Sequence, residues 1–314
     1  MLEVKNLSIH FEEQGRERLP LTPKYSCRLS VCRFVRGRDK STPSRSDVLQ
    51  ERYDEYEEVV RDVSFVVGSD EIVGLVGESG SGKTITALTI AGLRKPDQVI
   101  KGGEIYLDDL ELLGLSEKKM SRVQGKEIGF IFQEPMTALN PTMKIGKQVE
   151  EALILHTSLN REQRREKVLK ALEDVELKEP EKLYHKYPNE LSGGMRQRVM
   201  IAAAMICRPK LLLADEPTTA LDAKTQDEIL KLIKRLVKNY GASILFISHN
   251  LRVVKELCSR VLVMKDGVIV EEGDTKEVFE KPRHEYTKEL IQAIPARAEV
   301  DFLSVFRERK VNNI

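Results

Sequence analysis

The sequence predicts an α/β fold in which a largely parallel sheet is covered by helices on both faces and carries a phosphate-binding turn at one edge. Three observations lead there. Residues 211–214 and 244–247 are apolar at every position, as in strands buried on both faces. A further buried-strand pattern, residues 71–76, apolar after Glu71, leads into a Gly-rich turn and then a helical pattern starting near Lys83. Between the first two runs, Ile229, Leu230, Ile233, Leu236 and Val237 recur at helical spacing, and Gly241 stands where such a helix would stop.

The remaining elements follow in chain order. Residues 2–11 partly alternate apolar and polar, as a half-buried strand does, and residues 59–67 give a cleaner strand pattern. Between them, residues 16–45 hold nine basic residues against only Glu17 and Asp39, with no periodicity, which reads as an inserted loop or appendage. Its ordinary role is a solvated hairpin loop; the alternative is contact with anionic lipid headgroups or a partner's loop. Residues 128–132 form a strand pattern, and residues 161–177 place Val168, Leu169, Leu172 and Val175 on one face of a charged helix. Residues 195–207 read as a buried helix. Residues 261–264 and 268–270 flank Lys265-Asp266-Gly267, a short hairpin turn. There is no internal repeat.

Composition narrows the function. The 314 residues include 51 Lys and Arg against 50 Asp and Glu, for a formal charge of +1, which removes a global electrostatic case for nucleic acid. At 41% hydrophobic and 32% charged, the chain suits a globular core and excludes general disorder. No apolar run approaches the roughly 18 residues of a membrane helix. The N-terminus lacks the pattern of a signal peptide, and Cys27, Cys32, Cys207 and Cys258 are too scattered for a disulfide framework. These features predict a cytoplasmic chain that, to act at a membrane, relies on other subunits.

Gly77-Glu78-Ser79-Gly80-Ser81-Gly82-Lys83-Thr84 fits G-x-x-x-x-G-K-[ST] and lies between a strand and a helix, where that motif belongs. Glycines let backbone N–H groups curl around a β-phosphate, and the helix N-terminus adds its positive end. Lys83 is expected to bridge β- and γ-phosphate oxygens, and the Thr84 hydroxyl to ligate Mg²⁺. Residues 211–214 end in Asp215-Glu216, two carboxylates at the strand edge where α/β ligands bind. Asp215 is expected to hold Mg²⁺ directly or through its ligands, and Glu216 to polarise the attacking water. His249 follows another buried strand and should emerge at the same edge, near the γ-phosphate. Together these residues predict a P-loop ATPase using ATP and Mg²⁺.

A second helix start, Leu191-Ser192-Gly193-Gly194-Met195-Arg196-Gln197-Arg198, has the same anion-binding character. One nucleotide cannot easily use both, which suggests that Ser192, Gly193 and Gly194 serve a nucleotide held mainly by another subunit. Here the sequence resembles the ATP-binding-cassette (ABC) ATPases, whose signature is LSGGQ-like; Met195 stands at the Gln position. The resemblance makes Gln133 the Q-loop glutamine that touches Mg²⁺ and the attacking water. It makes Thr219-Ala220-Leu221-Asp222 the D-loop, with Asp222 at the nucleotide interface, and His249 the switch histidine. Phe11 is the first candidate for the aromatic stacked on adenine, with Tyr53 and Tyr56 as rivals. The implied fold is a RecA-like P-loop core with an antiparallel β subdomain and an inserted α-helical subdomain. The implied division is a cassette over residues 1–275, with its helical subdomain at about 135–200 and the basic insertion at about 13–55, followed by an extension over residues 276–314.

Within that family the chain is similar to the ATPases of peptide and nickel importers. The resemblance rests on Glu134-Pro135-Met136-Thr137-Ala138-Leu139-Asn140-Pro141 and on Pro282-Arg283-His284-Glu285-Tyr286-Thr287, with Leu290, Ala293 and Pro295 following. Such a system implies a second, different ATPase subunit, two permeases, an extracytoplasmic substrate-binding protein, and a place on the cytoplasmic face of the membrane. Some relatives import oligosaccharides, so cargo does not follow from family. Many members carry an iron–sulfur cluster on cysteines beyond the His-x-Tyr-Thr segment; with no cysteine after Cys258, no iron–sulfur cluster is expected here. The competing readings are a soluble ABC protein acting on nucleic acid and an exporter ATPase. The single cassette without a long coiled coil disfavours the first, and the two importer-like segments disfavour the second.

Overall fold

The computed structural model describes residues 1–12, 56–93, 98–219 and 221–294. The basic segment 16–45, with Cys27, Cys32 and the candidate Tyr53, lies outside the described residues, as do Ala220, Pro295 and the side chain of Tyr56. The strands are β1 (Leu2–Glu12), β2 (Tyr56–Val67), β3 (Ile72–Val76), β4 (Gln98–Leu107), β5 (Leu110–Glu111), β6 (Ile128–Ile131), β7 (Leu211–Asp215), β8 (Ser243–Ile247), β9 (Arg260–Lys265) and β10 (Val268–Asp274). The helices are α1 (Lys83–Ile90), α2 (Glu117–Val123), α3 (Pro135–Ala138), α4 (Ile145–His156), α5 (Arg161–Asp174) and α6 (Pro180–Tyr184). They continue with α7 (Gly193–Met205), α8 (Ala223–Tyr240), α9 (Leu251–Leu257), α10 (Thr275–Glu280) and α11 (Glu285–Gln292).

Two sheets result. A four-stranded antiparallel sheet has the order β2-β1-β4-β5, and a six-stranded sheet has the order β10-β9-β3-β8-β7-β6. In the larger sheet every neighbouring pair is parallel except β9 with β10. The all-apolar runs divide between its faces with the strand period of two. Leu211, Leu213, Leu245, Ile247, Leu262 and Met264 join Leu2, Val4, Leu7, Ile9 and Phe65 of the antiparallel sheet in one core. Leu212, Ala214, Ile244, Phe246, Val261 and Val263 join the buried faces of α4, α5, α7 and α8 in a second core. Burial on both sides is why these strands carry no alternation.

Between β6 and β7 the chain runs through helices α3 to α7. Val168, Leu172 and Val175 are buried there as the helical spacing predicts, although α5 itself stops at Asp174. The Glu150 carboxylate is wholly buried and ties three of these helices together. It accepts from Lys147 Nζ at 2.7 Å, Arg164 Nε at 2.9 Å and Tyr184 Oη at 3.1 Å. Burial pushes this carboxyl up, but those hydrogen bonds prevail and hold it below its ordinary range. The expected helix at 195–207 begins earlier, at Gly193, because the Ser192 side chain accepts from the Met195 N–H and caps it.

Arg260 fastens the two sheets. Its Nε donates to Glu71 Oε1 at 2.9 Å, and its guanidinium also reaches the Val66 carbonyl of β2 and the Glu272 carboxylate of β10. The Arg260 hydrogen bond is the main cause holding the Glu71 carboxyl below its usual range. A depressed folded value stabilises the fold above the unfolded value, about 4.3 for Glu, and that contribution vanishes as pH falls through the folded value. Glu71→Gln is therefore expected to flatten the loss of thermal stability below roughly pH 4.3, measured as melting temperature against pH. On β6, a Cβ added at Gly129 would sit 2.5 Å from the Ala204 carbonyl oxygen and 3.0 Å from Pro209. Gly129→Ala is expected to destabilise the fold by about 1–3 kcal/mol in urea unfolding, the cost of overpacking.

Candidate functional site

Backbone geometry builds the phosphate loop. The chain leaves β3 at Val76 and turns through residues 77–82 into α1, with Gly77 at φ 154°, Gly80 at 85° and Gly82 at 101°. A Cβ at Gly77 would lie 2.1 Å from the Met264 carbonyl oxygen, and one at Gly82 would lie 2.9 Å from that of Val59. Glycine is required at both positions for space as well as dihedral angle. Gly82 caps α1 without any side-chain acceptor, so the first N–H groups of the helix point into the loop. Ser79 and Gly80 are exposed at the rim, and Ser81 is buried beneath them.

Lys83 turns its ammonium inward. Nζ donates to Gly77 O at 2.9 Å, Glu78 O at 2.5 Å and Ser81 Oγ at 3.2 Å. Only 5% of the residue is exposed, and burial lowers its pKa against the pull of Glu216, Asp215 and Glu78. Opposite it, Asp215 ends β7 in a buried position and accepts from Thr84 Oγ1 at 3.1 Å. Burial raises the Asp215 carboxyl; the Thr84 hydrogen bond only partly offsets that. The ammonium and the carboxylate each lack solvation, and a phosphate and a cation would supply it.

This donor set suits Mg²⁺. Thr84 and Asp215 provide a hydroxyl and a carboxylate on adjacent sides of the loop. Among the described residues no group of three or more His, Cys, Asp or Glu forms a closed metal cage. A cation here would complete its shell with phosphate oxygens and water, as Mg²⁺ characteristically does.

The next residue, Glu216, is where three strand-end segments converge. Its backbone sits at φ 45°, a left-handed conformation costly for Glu, and its N–H donates to Ile247 O at 3.0 Å. Its carboxylate accepts from Gln133 Nε2 at 3.1 Å and Thr219 Oγ1 at 2.8 Å on one oxygen. On the other it meets His249 Nδ1 at 2.8 Å. A carboxylate only accepts, so Nδ1 carries the proton in this contact. Gln133, expected at Mg²⁺ and the attacking water, and His249, expected near the γ-phosphate, thus meet at Glu216. Thr219 was expected only as the start of the D-loop; its hydroxyl role follows from sitting one turn beyond Glu216.

Ser192, Gly193 and Gly194 lie elsewhere: among the described residues, no hydrogen bond joins them to residues 77–84. A Cβ on Gly194 would meet the Thr225 methyl at 2.8 Å, and Gly193 faces Leu221. Asp222 belongs to the same neighbourhood and caps α8, accepting from Thr225 N at 3.0 Å and Thr225 Oγ1 at 2.7 Å. Those hydrogen bonds lower its pKa. Phe11 sits at the end of β1, paired with Glu57 and Gln98 across the sheet, and packs partly buried against the antiparallel-sheet core. The structure also brings in Tyr286, which sequence reasoning assigned to no site: its hydroxyl accepts the Glu78 N–H at 2.9 Å.

Strand, glycine turn, helix and an acidic strand end beside the turn define a P-loop nucleoside-triphosphatase. Residues 60–219 match the model of the ABC transporter family, and residues 270–308 match that of the oligopeptide/dipeptide transporter C-terminal region. The chain is similar to the oligopeptide transport ATP-binding protein OppD of Bacillus subtilis, 48% identical over 239 residues that span 76% of this chain and 67% of that one. OppD of Salmonella typhimurium is 43% identical, over 75% of this chain and 70% of that one. A dimeric post-hydrolysis structure of the ATP-binding cassette MJ0796, bound to ADP and Pi, superposes with a TM-score of 0.67 at 27% identity. That superposition covers 88% of this chain and 99% of that one. The chain belongs to the ATP-binding subunits of ABC transporters, and its activity is ATP hydrolysis coupled to transport.

Proposed function

We propose that this chain powers the import of di- or oligopeptides, as one of two ATPase subunits working on two permeases supplied by an extracytoplasmic substrate-binding protein. The cargo rests on the match of residues 270–308 to the oligopeptide/dipeptide transporter region and on the peptide-transport relatives. No helix among the described residues is long and apolar enough to cross a membrane; likeness to oligopeptide transport ATP-binding subunits supports a place at the cytoplasmic face, held there by the permeases. The segment after Gln133 is the permease contact; Met136 stands 59% exposed within it and Phe132, just before Gln133, 38%, both open to being covered. The cassette comprises residues 1–275, with its helical subdomain at about 135–200, and the extension begins at 276.

Hydrolysis takes place between two subunits. Gly77, Ser79, Gly80, Ser81 and Gly82 wrap the β-phosphate with backbone N–H groups, and Lys83 exchanges its loop carbonyls for β- and γ-phosphate oxygens. Ser192, Gly193, Gly194 and Asp222 face the nucleotide of the partner subunit, and Phe11 stacks on adenine. Thr84 and Asp215, with Gln133, hold Mg²⁺, which when bound neutralises charge on the phosphate oxygens. Glu216 orients water for in-line attack, while His249 and Lys83 stabilise the developing charge. The convergence of Gln133, Thr219 and His249 on Glu216 is the observation that carries this assignment: it fixes one carboxylate by three side chains at the sheet edge.

Glu216→Gln is expected to bind ATP with near-parental affinity, hydrolyse it at least about a hundredfold more slowly, and accumulate as the closed dimer. Nucleotide binding, steady-state phosphate release and size-exclusion chromatography with ATP check this, and parental turnover would overturn the role of Glu216. Lys83→Ala is expected to weaken ATP binding roughly tenfold or more, the worth of a charge-assisted hydrogen bond, in titrations with a fluorescent ATP analogue. For the cargo, membrane vesicles containing the intact complex should take up labelled oligopeptide only with ATP inside the chain's compartment; uptake of a sugar or nickel instead would reassign it.

A further inference from the structure

The Gly77–Glu78 peptide of the phosphate loop is gripped from both ends. Its carbonyl, Gly77 O, accepts from Lys83 Nζ at 2.9 Å. Its N–H, on Glu78, donates to the Tyr286 hydroxyl at 2.9 Å, across 208 positions of sequence. A Cβ at Gly77 would lie 2.1 Å from Met264 O, so the peptide is also wedged against β9. A trans peptide points its N–H and C=O in opposite directions, and fixing one fixes the other. The hydroxyl at one end therefore sets where the carbonyl presents itself to the lysine at the other.

Tyr286 is held firmly enough to act in this way. It is 3% exposed, and Lys265 Nζ lies 4.7 Å over its ring. The turn leading into α11 is pinned to β10: Glu271 Oε1 accepts the Arg283 N–H at 2.8 Å, and Oε2 accepts the His284 N–H at 2.9 Å. His284 Nδ1 in turn accepts the Tyr286 N–H at 3.2 Å. One turn on, the same face of α11 packs Leu290 and Ile291 against the core of the parallel sheet and the helices, to which Tyr286 also belongs.

We infer that Tyr286 is a positioning residue of the nucleotide site, through which the C-terminal segment sets the affinity of the phosphate loop for ATP. The inference rests on the phosphate-wrapping role proposed above for the loop of residues 77–82. Tyr286 touches no atom of the reaction. It holds the Gly77–Glu78 peptide, and with it the course of the loop whose following N–H groups wrap the phosphates, and so acts on nucleotide binding in ground state and transition state alike. An interaction of that kind appears in KM and leaves kcat unchanged. Any partner that displaces α11 would then lower ATP affinity from outside the site.

The test uses the full chain and Tyr286→Phe, which keeps the ring beneath Lys265 and removes only the hydroxyl. ATP binding and KM are expected to weaken together by about threefold to tenfold, the range of one neutral hydrogen bond, with kcat unchanged. In the nucleotide-free protein the Glu78 amide should exchange with solvent faster, while amides of residues 285–292 keep their parental rates. Glu271→Ala, which loosens the turn rather than the contact, should shift KM in the same direction. Parental KM and parental Glu78 exchange in Tyr286→Phe would overturn the inference. So would a fall in kcat and melting temperature at unchanged KM, the mark of a purely structural tyrosine. If the parental chain failed to bind ATP, the functional reading would fall, while the exchange rate of Glu78 would still report whether Tyr286 holds the loop.

Discussion

Four parallel strands of one sheet end at the same level, and each delivers a different part of the site. The register pairs Leu75 of β3 with Ile247 of β8, Ile247 with Asp215 of β7, and Ala214 with Ile131 of β6. One residue or two beyond those positions the chain leaves the sheet as the phosphate loop, His249, Glu216 and Gln133. Side chains from distant sequence positions are therefore brought within hydrogen-bond reach by the ladder itself. A one-residue slip in any strand would turn its apolar residues from one core to the other, and burial on both faces does not by itself forbid that. Specificity of register comes from glycines at close approaches, such as Gly129 against Ala204 and Gly74 against Val254.

The electrostatics of the site are those of a cavity prepared for charge. Lys83 and Asp215 are displaced in opposite directions from their ordinary pKa values, each chiefly because it is buried. They do not neutralise one another by contact: Lys83 turns to loop carbonyls and Asp215 to Thr84. A polyanion with a divalent cation satisfies both, and the low dielectric that penalises them when empty-handed strengthens them when engaged. The left-handed backbone at Glu216 adds local strain of order 1–3 kcal/mol, tolerated because the Gln133, Thr219 and His249 contacts over-determine that carboxylate's place.

Much of this was legible in the sequence because the signals were local. Uninterrupted apolar runs located the central strands, Gly241 marked the end of α8 with its φ of 64°, and Gly267 the β9–β10 turn with its φ of 83°. The phosphate loop was readable from its motif, Asp215, Glu216 and His249 from the strand ends that carry them, and Gln133 only through the family resemblance. The sequence places Ser192-Gly193-Gly194 at the opening of a helix running from 195, and the helix takes in both glycines because Ser192 caps it. The hydrogen bond from Glu78 to Tyr286 had no local signal. It depends on how β10 and the following turn dock an element near the end of the chain against a loop near its start, which is a property of tertiary packing.

The pairing of Glu12 with Tyr56 at the last step of the β1–β2 ladder has a consequence for the chain's evolution. β1 and β2 are antiparallel neighbours, so the two points between which any connecting sequence must run, Glu12 and Tyr56, are already held side by side. The entropy of closing such a connection rises only with the logarithm of its length, about 0.6 kcal/mol for each doubling. Nearly any length or composition can therefore be accommodated there at small cost to folding. A segment of strongly basic character could be acquired, exchanged or lost at this point while the sheets and the nucleotide site beneath them kept their register.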